Sequence, residues 1–165
     1  MKQVYFGLLL FITTFAFVSC TNSEKNIWVL DQEKILTSGQ INKLDSLYKA
    51  HEKNTSNEIA LIIATDIPDS AILKSATDLG NKYGVGKKET NNGIVILVCP
   101  KKQQVAIATG LGTEKVLKDE IAKKIIDSLM IPQFSENNYF EAIWAGSLGI
   151  VHFLELPENK INGKP

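Results

Sequence analysis

The side chains best placed to do chemistry in this sequence are two carboxylates, Glu114 and Asp119, which follow directly on Gly110-Leu111-Gly112. The glycines close an apolar run, Val105-Ala106-Ile107-Ala108-Thr109, so both acids fall where a strand ends and a helix begins. Carboxylates at such positions suit hard cations, which gather several oxygen donors. A glycine turn ahead of a helix also turns backbone N–H groups toward anions. Here the lysine and Ser/Thr of a nucleotide-binding loop are missing, and the two acids would repel a bare phosphate. A metal between acid and phosphate removes that objection and opens metal-assisted ester hydrolysis. Both acids also have structural uses, Asp119 as an N-cap and Glu114 beside the positive end of a helix macrodipole.

Nucleophilic chemistry finds less support. His51 and His152 both fall in helical stripes, and no Ser-His-Asp or Cys-His pattern is evident. Cys99 lies in an apolar strand, away from the positive charge and solvent that activate a thiol, and reads as an inert core residue.

The elements that must position these residues follow from periodicity. Gly93-Ile94-Val95-Ile96-Leu97-Val98-Cys99 is apolar on both faces and too short for a free-standing helix, which predicts a central strand. Glu58 to Thr65 reads the same way, and Val105 to Thr109 returns beside the central strand after the turn Pro100-Lys101-Lys102-Gln103. Ile27 to Asp31 predicts an edge strand or extended segment. Thr37-Ser38-Gly39-Gln40 is a capping-box pattern opening a first helix with Ile41, Leu44, Leu47, Tyr48 and His51 on one face. That helix is expected to break at residues 53–57.

A second helix, capped by Asp69 or Ser70, is expected to bury Ile72, Leu73, Ala76, Leu79 and Tyr83 and to end at Gly84-Val85-Gly86. A third starts near Asp119 with Ile121, Ile125, Ile126 and Leu129 inward, and Ile131-Pro132 stops it. The last runs from about Asn138 with Phe140, Ile143, Trp144, Leu148 and Val151. Strand, helix, strand implies a parallel pair with a right-handed crossover, and the hairpin adds an antiparallel strand. The fold class is α/β: one three-layer α/β/α domain with a mixed sheet flanked by helices.

Composition bounds the partners. All 18 basic residues are lysines, dispersed and balanced by 18 acids. Without a basic stripe or arginines for base edges, nucleic-acid binding is excluded. Lys2 followed by the apolar run Val4–Val18, ending in small residues, predicts an export signal over residues 1–19, too short to span a membrane. Phe17-Val18-Ser19-Cys20 resembles a bacterial lipobox, so Cys20 is the expected lipidation site. Several acyl chains there would give stable anchoring where one would not. Residues 20–26 read as a tether, 27–156 as the domain and 157–165 as a loose tail. The expected location is the cell envelope, facing the periplasm or the exterior.

Along 29–151 the pattern resembles the TPM domain family of bacterial envelopes and plant thylakoids. The resemblance rests on Val29-x-Asp31 and Leu36, Thr55 ahead of Glu58-Ile59-Ala60, Tyr83-Gly84-Val85-Gly86 and Asn92-Gly93-Ile94-Val95-Ile96-Leu97-Val98. Its most specific part is Gly110-Leu111-Gly112-Thr113-Glu114-x-x-Leu117-x-Asp119, with Pro132-x-Phe134 and Tyr139 closing it. Leu111 stands where the family usually has tyrosine, and Ala142 where it often has glycine. The resemblance implies a sheet between helices and an acidic cleft for Ca²⁺ or Mg²⁺. It also implies accessory roles in membrane protein complexes and weak acid phosphatase activity in a plant relative. Asp31, Asn92, Glu114 and Asp119 are the expected metal ligands, offered from loops that would have to converge. The function expected is a lipid-anchored envelope accessory domain that binds a divalent cation and supports a membrane protein complex. A metal-assisted acid phosphatase acting on phosphomonoesters is the alternative.

Overall fold

The computed structural model describes residues 28–68 and 71–160. Cys20, the expected signal segment and tether, and the expected caps Asp69 and Ser70 lie outside the described residues. Thr37 opens α1 (Ser38–Thr55) with a complete capping box: Gln40 N donates to Thr37 Oγ1 at 3.3 Å, and Thr37 N donates to Gln40 Oε1 at 2.8 Å. The helix passes the expected break at residue 53 and stops at Ser56, whose φ of 65° is left-handed. Poor helix formers at 53–55 are carried because Thr55 Oγ1 donates back to the His51 carbonyl at 2.8 Å.

Four strands form one sheet in the order β1 (Val29–Asp31), β2 (Glu58–Ile63), β3 (Gly93–Cys99), β4 (Gln104–Thr109). The first three are parallel and β4 is antiparallel to β3. Every residue of β3 is buried, as its unbroken apolar run requires. Ile59, Leu61, Ile63, Ile94, Ile96 and Val98 face a core shared with α1, α4 (Asp119–Ile125) and α6 (Tyr139–Glu155). Ile62, Val95, Leu97 and Cys99 face a smaller core under α2 (Ile72–Tyr83). The three layers are those expected.

One topological rule is broken. The links β1–α1–β2 and β2–α2–β3 step the same way across the sheet, yet α1 and α2 lie on opposite faces. Two crossovers of one hand would place both helices on the same face, so one of the pair departs from the right-handed preference.

Helix registers also shift. Leu73 is 48 % exposed, because it lies about 100° round α2 from the stripe of Ile72, Ala76, Leu79 and Tyr83. The third helix does not end at Ile131-Pro132. A π-turn at Ile126–Met130 rotates the register and the path continues into α5 (Ile131–Ser135), where Pro132 falls in a first turn that needs no proline N–H. Met130 thereby becomes fully buried against Gly146, and Leu129, expected inside, is 39 % exposed. A short helical turn, α3 (Leu111–Glu114), begins directly after Gly110, inside the expected glycine turn.

Candidate functional site

Parallel strands give the sheet two distinct ends. Asp31 pairs with Ile63 and Ile63 with Val98, so Asp31 marks the carboxyl end of the parallel strands. Gly93 pairs with Glu58, and Gly110 N donates to Gly93 O at 2.9 Å, so Asn92 and the Gly-Leu-Gly turn mark the amino end. Five residue steps along β2, from Glu58 to Ile63, separate the two levels, roughly 16 Å at the usual rise along a strand. Glu114 and Asp119, in α3 and at the first turn of α4, follow the Gly-Leu-Gly turn at the amino end.

The amino end is built from backbone packed on backbone. A Cβ on Gly112 would overlap the Thr90 carbonyl, one on Gly110 the Asn91 carbonyl, one on Gly93 the Val85 carbonyl, and one on Gly86 the Gly93 amide. Asn91 O accepts from Gly112 N at 3.0 Å, and Asn91 takes a φ of 48°, the left-handed turn its side chain tolerates. Asn92 is 2 % exposed. Its Oδ1 accepts from Lys87 N at 2.8 Å and its Nδ2 donates to Ser56 O, so both halves of the amide are engaged by backbone. Glu58, which sequence reasoning treated only as a strand residue, holds the same loops: its Oε2 accepts from Gly86 N at 2.8 Å. The hydroxyls of Thr90 and Thr113 are buried here without a partner among the described residues. Glu114 and Asp119 are exposed, and neither carboxylate has a partner among the described residues. Asp119 is the first residue of α4, one position inside the cap expected of it, and Lys118 occupies that cap.

The carboxyl end treats its acids differently. Asp31 Oδ2 accepts from Leu36 N at 2.9 Å and braces the link into α1, while Oδ1 is buried without a partner among the described residues. Glu33 pairs with Lys101 at 3.0 Å and Asp66 with Lys102 at 2.9 Å. A hydrogen bond from Thr65, then Lys101, holds Glu33 below the usual carboxylate range. Lys102 and the Ile67 amide do the same for Asp66. The lysines come from the β3–β4 turn, which the sequence presented only as a loop.

As one coordination shell for Ca²⁺ or Mg²⁺, Asp31, Asn92, Glu114 and Asp119 do not fit. Asp31 is at the far end of the sheet, and Asn92 has no oxygen to offer that is not already accepting a backbone hydrogen bond. The expectation failed because Asn92 precedes its strand while Asp31 follows its own, and parallel pairing sends those positions apart. Among the described residues no group of three or more His, Cys, Asp and Glu side chains could hold a metal ion. Glu114 and Asp119 are the two of the four that lie exposed with neither carboxylate oxygen engaged among the described residues, whereas the one unengaged oxygen of Asp31 is buried. Neither histidine joins them. His51 is 1 % exposed with Nδ1 3.3 Å from Glu155 Oε1, and burial holds its pKa below 6.5 against the pull of that carboxylate. His152 lies exposed on α6.

Three solved structures show the same fold. The N-terminal domain of a P. gingivalis protein has a TM-score of 0.77 at 24 % identity, over 87 % of this chain and 91 % of that one. The N-terminal domain of a Corynebacterium glutamicum protein has a TM-score of 0.61 at 12 % identity, over 76 % and 78 %. The BA42 protein from the psychrophilic bacterium Bizionia argentinensis has a TM-score of 0.58 at 20 % identity, over 82 % and 94 %. No curated protein matches the chain. The sequence profile of the TPM domain matches residues 29–153, which include both ends of the sheet and the whole Gly-Leu-Gly turn. The chain belongs to the TPM domain family.

Proposed function

We propose that this TPM domain is a non-catalytic accessory module, held at the cell envelope by lipid on Cys20 and contacting a membrane protein complex through its Gly110-Leu111-Gly112 turn. The observation behind this reading is Leu111. It is 72 % exposed, on a turn fixed by hydrogen bonds to Gly93 and Asn91. A large apolar side chain presented on rigid backbone gives up little freedom when a partner covers it. A divalent cation enters only at Glu114 and Asp119. Two carboxylates and water make a weak site, with dissociation constants on the order of 10⁻⁴–10⁻³ M.

Two experiments test the parts separately. A photocrosslinking residue at position 111 in membranes should give a discrete adduct that the same residue at Leu73, also exposed, does not give. Equal, diffuse labelling at both positions would remove the docking reading. In a Ca²⁺ titration followed by NMR, shifts should stay within residues 110–120 and vanish in the Glu114→Gln, Asp119→Asn double variant. Shifts centred on Asp31 would overturn the assignment. The phosphatase alternative needs acids gathered on one metal, and the separation of Asp31 from Glu114 leaves it without that set. Steady phosphomonoester turnover, lost in Glu114→Gln with the fold intact, would displace the accessory reading.

A further inference from the structure

The chain has two tryptophans, and a lysine of α1 lies over each. Trp28 leads into β1, where its carbonyl accepts from Leu61 N at 2.7 Å, and the Lys49 ammonium is 4.6 Å from its ring centroid. Trp144, on α6, stacks on Phe140 with centroids 6.1 Å apart at 21°. The Lys43 ammonium is 4.1 Å from the indole centroid and 5.5 Å from the phenyl centroid. All three rings are half-buried, packed on the larger core with part of each left in solvent.

Helix geometry relates the two pairs. At about 100° per residue, Ser46 points away from the buried stripe of Leu44, Tyr48 and His51. Lys43 and Lys49 stand about 60° to either side of Ser46, so the two lysine–tryptophan pairs are opposite shoulders of one helix. The outward surface between them carries Gly39, Asn42, Ala50 and Lys53, each exposed, and no acid. Asp45 and Glu52 are turned about 100° or more from that line, and Asp45 is paired with Lys49 at 2.8 Å. On α6 the exposed Glu141 is turned about 100° from Phe140.

This chemistry fits a lipid surface. A tryptophan with one side apolar and one edge wet suits the membrane–water interface. Lysines whose stems lie along such rings hold their ammonium groups where anionic headgroups would be. Trp28 is also eight residues on from Cys20, a span of no more than about 28 Å even when fully extended.

We infer that the domain lies on an anionic bilayer by the outward surface of α1, with Trp28 and Trp144 at the headgroup level and Lys43, Lys49 and Lys53 against the lipid phosphates. The inference rests on the envelope anchor proposed at Cys20: the anchor supplies proximity, and this face supplies orientation. The Gly-Leu-Gly turn, at an end of the sheet rather than on the face that α1 covers, then points along the membrane toward a neighbouring membrane protein.

The test is fluorescence, because the two tryptophans report on this face alone. The full chain is reconstituted in phosphatidylcholine vesicles, with or without phosphatidylglycerol, using lipids brominated on the acyl chain as quencher. Read one at a time in Trp28→Phe and Trp144→Phe, both tryptophans should be quenched and blue-shifted on the anionic vesicles and much less so on the neutral ones. Lys43→Gln, Lys49→Gln and Lys53→Gln should each lower the ratio of seated to free domain about fivefold, the usual worth of one lysine at an anionic surface. Lys88→Gln, on the exposed turn before β3, should leave it unchanged. Quenching of Trp28 without Trp144 would overturn the inference, since closeness to the anchor explains it. Equal quenching on neutral and anionic vesicles, or quenching unchanged in the triple lysine variant, would overturn it too. Flotation with neutral vesicles judges the anchor separately. A chain that does not float removes the anchor, and quenching at excess anionic lipid still decides for or against the face.

Discussion

The two ends of the sheet hold acids in opposite ways. At the carboxyl end Glu33 and Asp66 are met by Lys101 and Lys102, and Asp31 is turned back onto the Leu36 amide. At the amino end the structure is secured by glycine backbones and by Asn92 and Glu58, and Glu114 and Asp119 are left facing solvent. One end is closed by side-chain charge in pairs with one exposed partner each, partly screened and cheaply changed. The other is closed by backbone contact, which leaves no room for change and frees its carboxylates for something else. An acidic residue is therefore informative about binding only once its local partner is known.

The sharpest way to break this contrast is Gly112→Ala. Its Cβ would meet the Thr90 carbonyl, backbone that cannot swing aside, so a loss of about 3 kcal/mol or more is expected in denaturant unfolding. A loss below 1 kcal/mol would mean that the turns are not interlocked. Asn92→Ala comes next. It removes two part-buried hydrogen bonds of a buried side chain, to Ser56 O and Lys87 N, at a cost of about 1–2 kcal/mol. Urea midpoints at constant slope measure both.

Acid separates the parts of the molecule by pH. His51 is neutral in the fold because burial lowers its pKa below the 6.5 of the unfolded chain. The unfolded state therefore binds the proton first, and stability should fall as pH drops from about 6.5 toward the lower folded value. His51→Gln should flatten that slope. A slope unchanged between pH 7 and 5 would assign it elsewhere. Glu33 and Asp66 have the same sign in a lower window: their contribution is present above the ordinary carboxylate pKa and is lost as pH falls through the depressed folded one. Stability should thus fall in two pH windows, with His51 acting before the carboxyl-end pairs.

The smallest effects on stability belong to the proposed cation ligands. Glu114→Gln and Asp119→Asn should each change the unfolding free energy by less than about 1 kcal/mol, the worth of a charge at a helix N-terminus, while abolishing the Ca²⁺ response. A larger loss of stability would show that these acids brace the fold rather than face a ligand.

Much of the fold was legible because its determinants are local. Thr37 and Gln40 carry the capping box in four residues, and the apolar runs of β2 and β3 announce a sheet covered on both faces. Glycine after Tyr83 marked the end of α2. The π-turn was not legible. Ile125, Ile126 and Leu129 keep helical spacing, and only the packing of Met130 on Gly146 shows that the register slips. Nor did the sequence reveal that Glu58 accepts from the Gly86 amide and that Asn92 donates to the Ser56 carbonyl, since both partners are distant in the chain.

By itself the sequence determined the α/β class, the buried strands, the capping box of α1 and the family pattern, because each depends on residues within a turn or two of one another. It did not determine which acids share an end of the sheet. Periodicity tells which face a residue takes, but its level along the strand axis is set by pairing direction and register. Those depend on the burial of all four strands at once. Tertiary structure alone sent Asp31 to one end and Glu114 to the other.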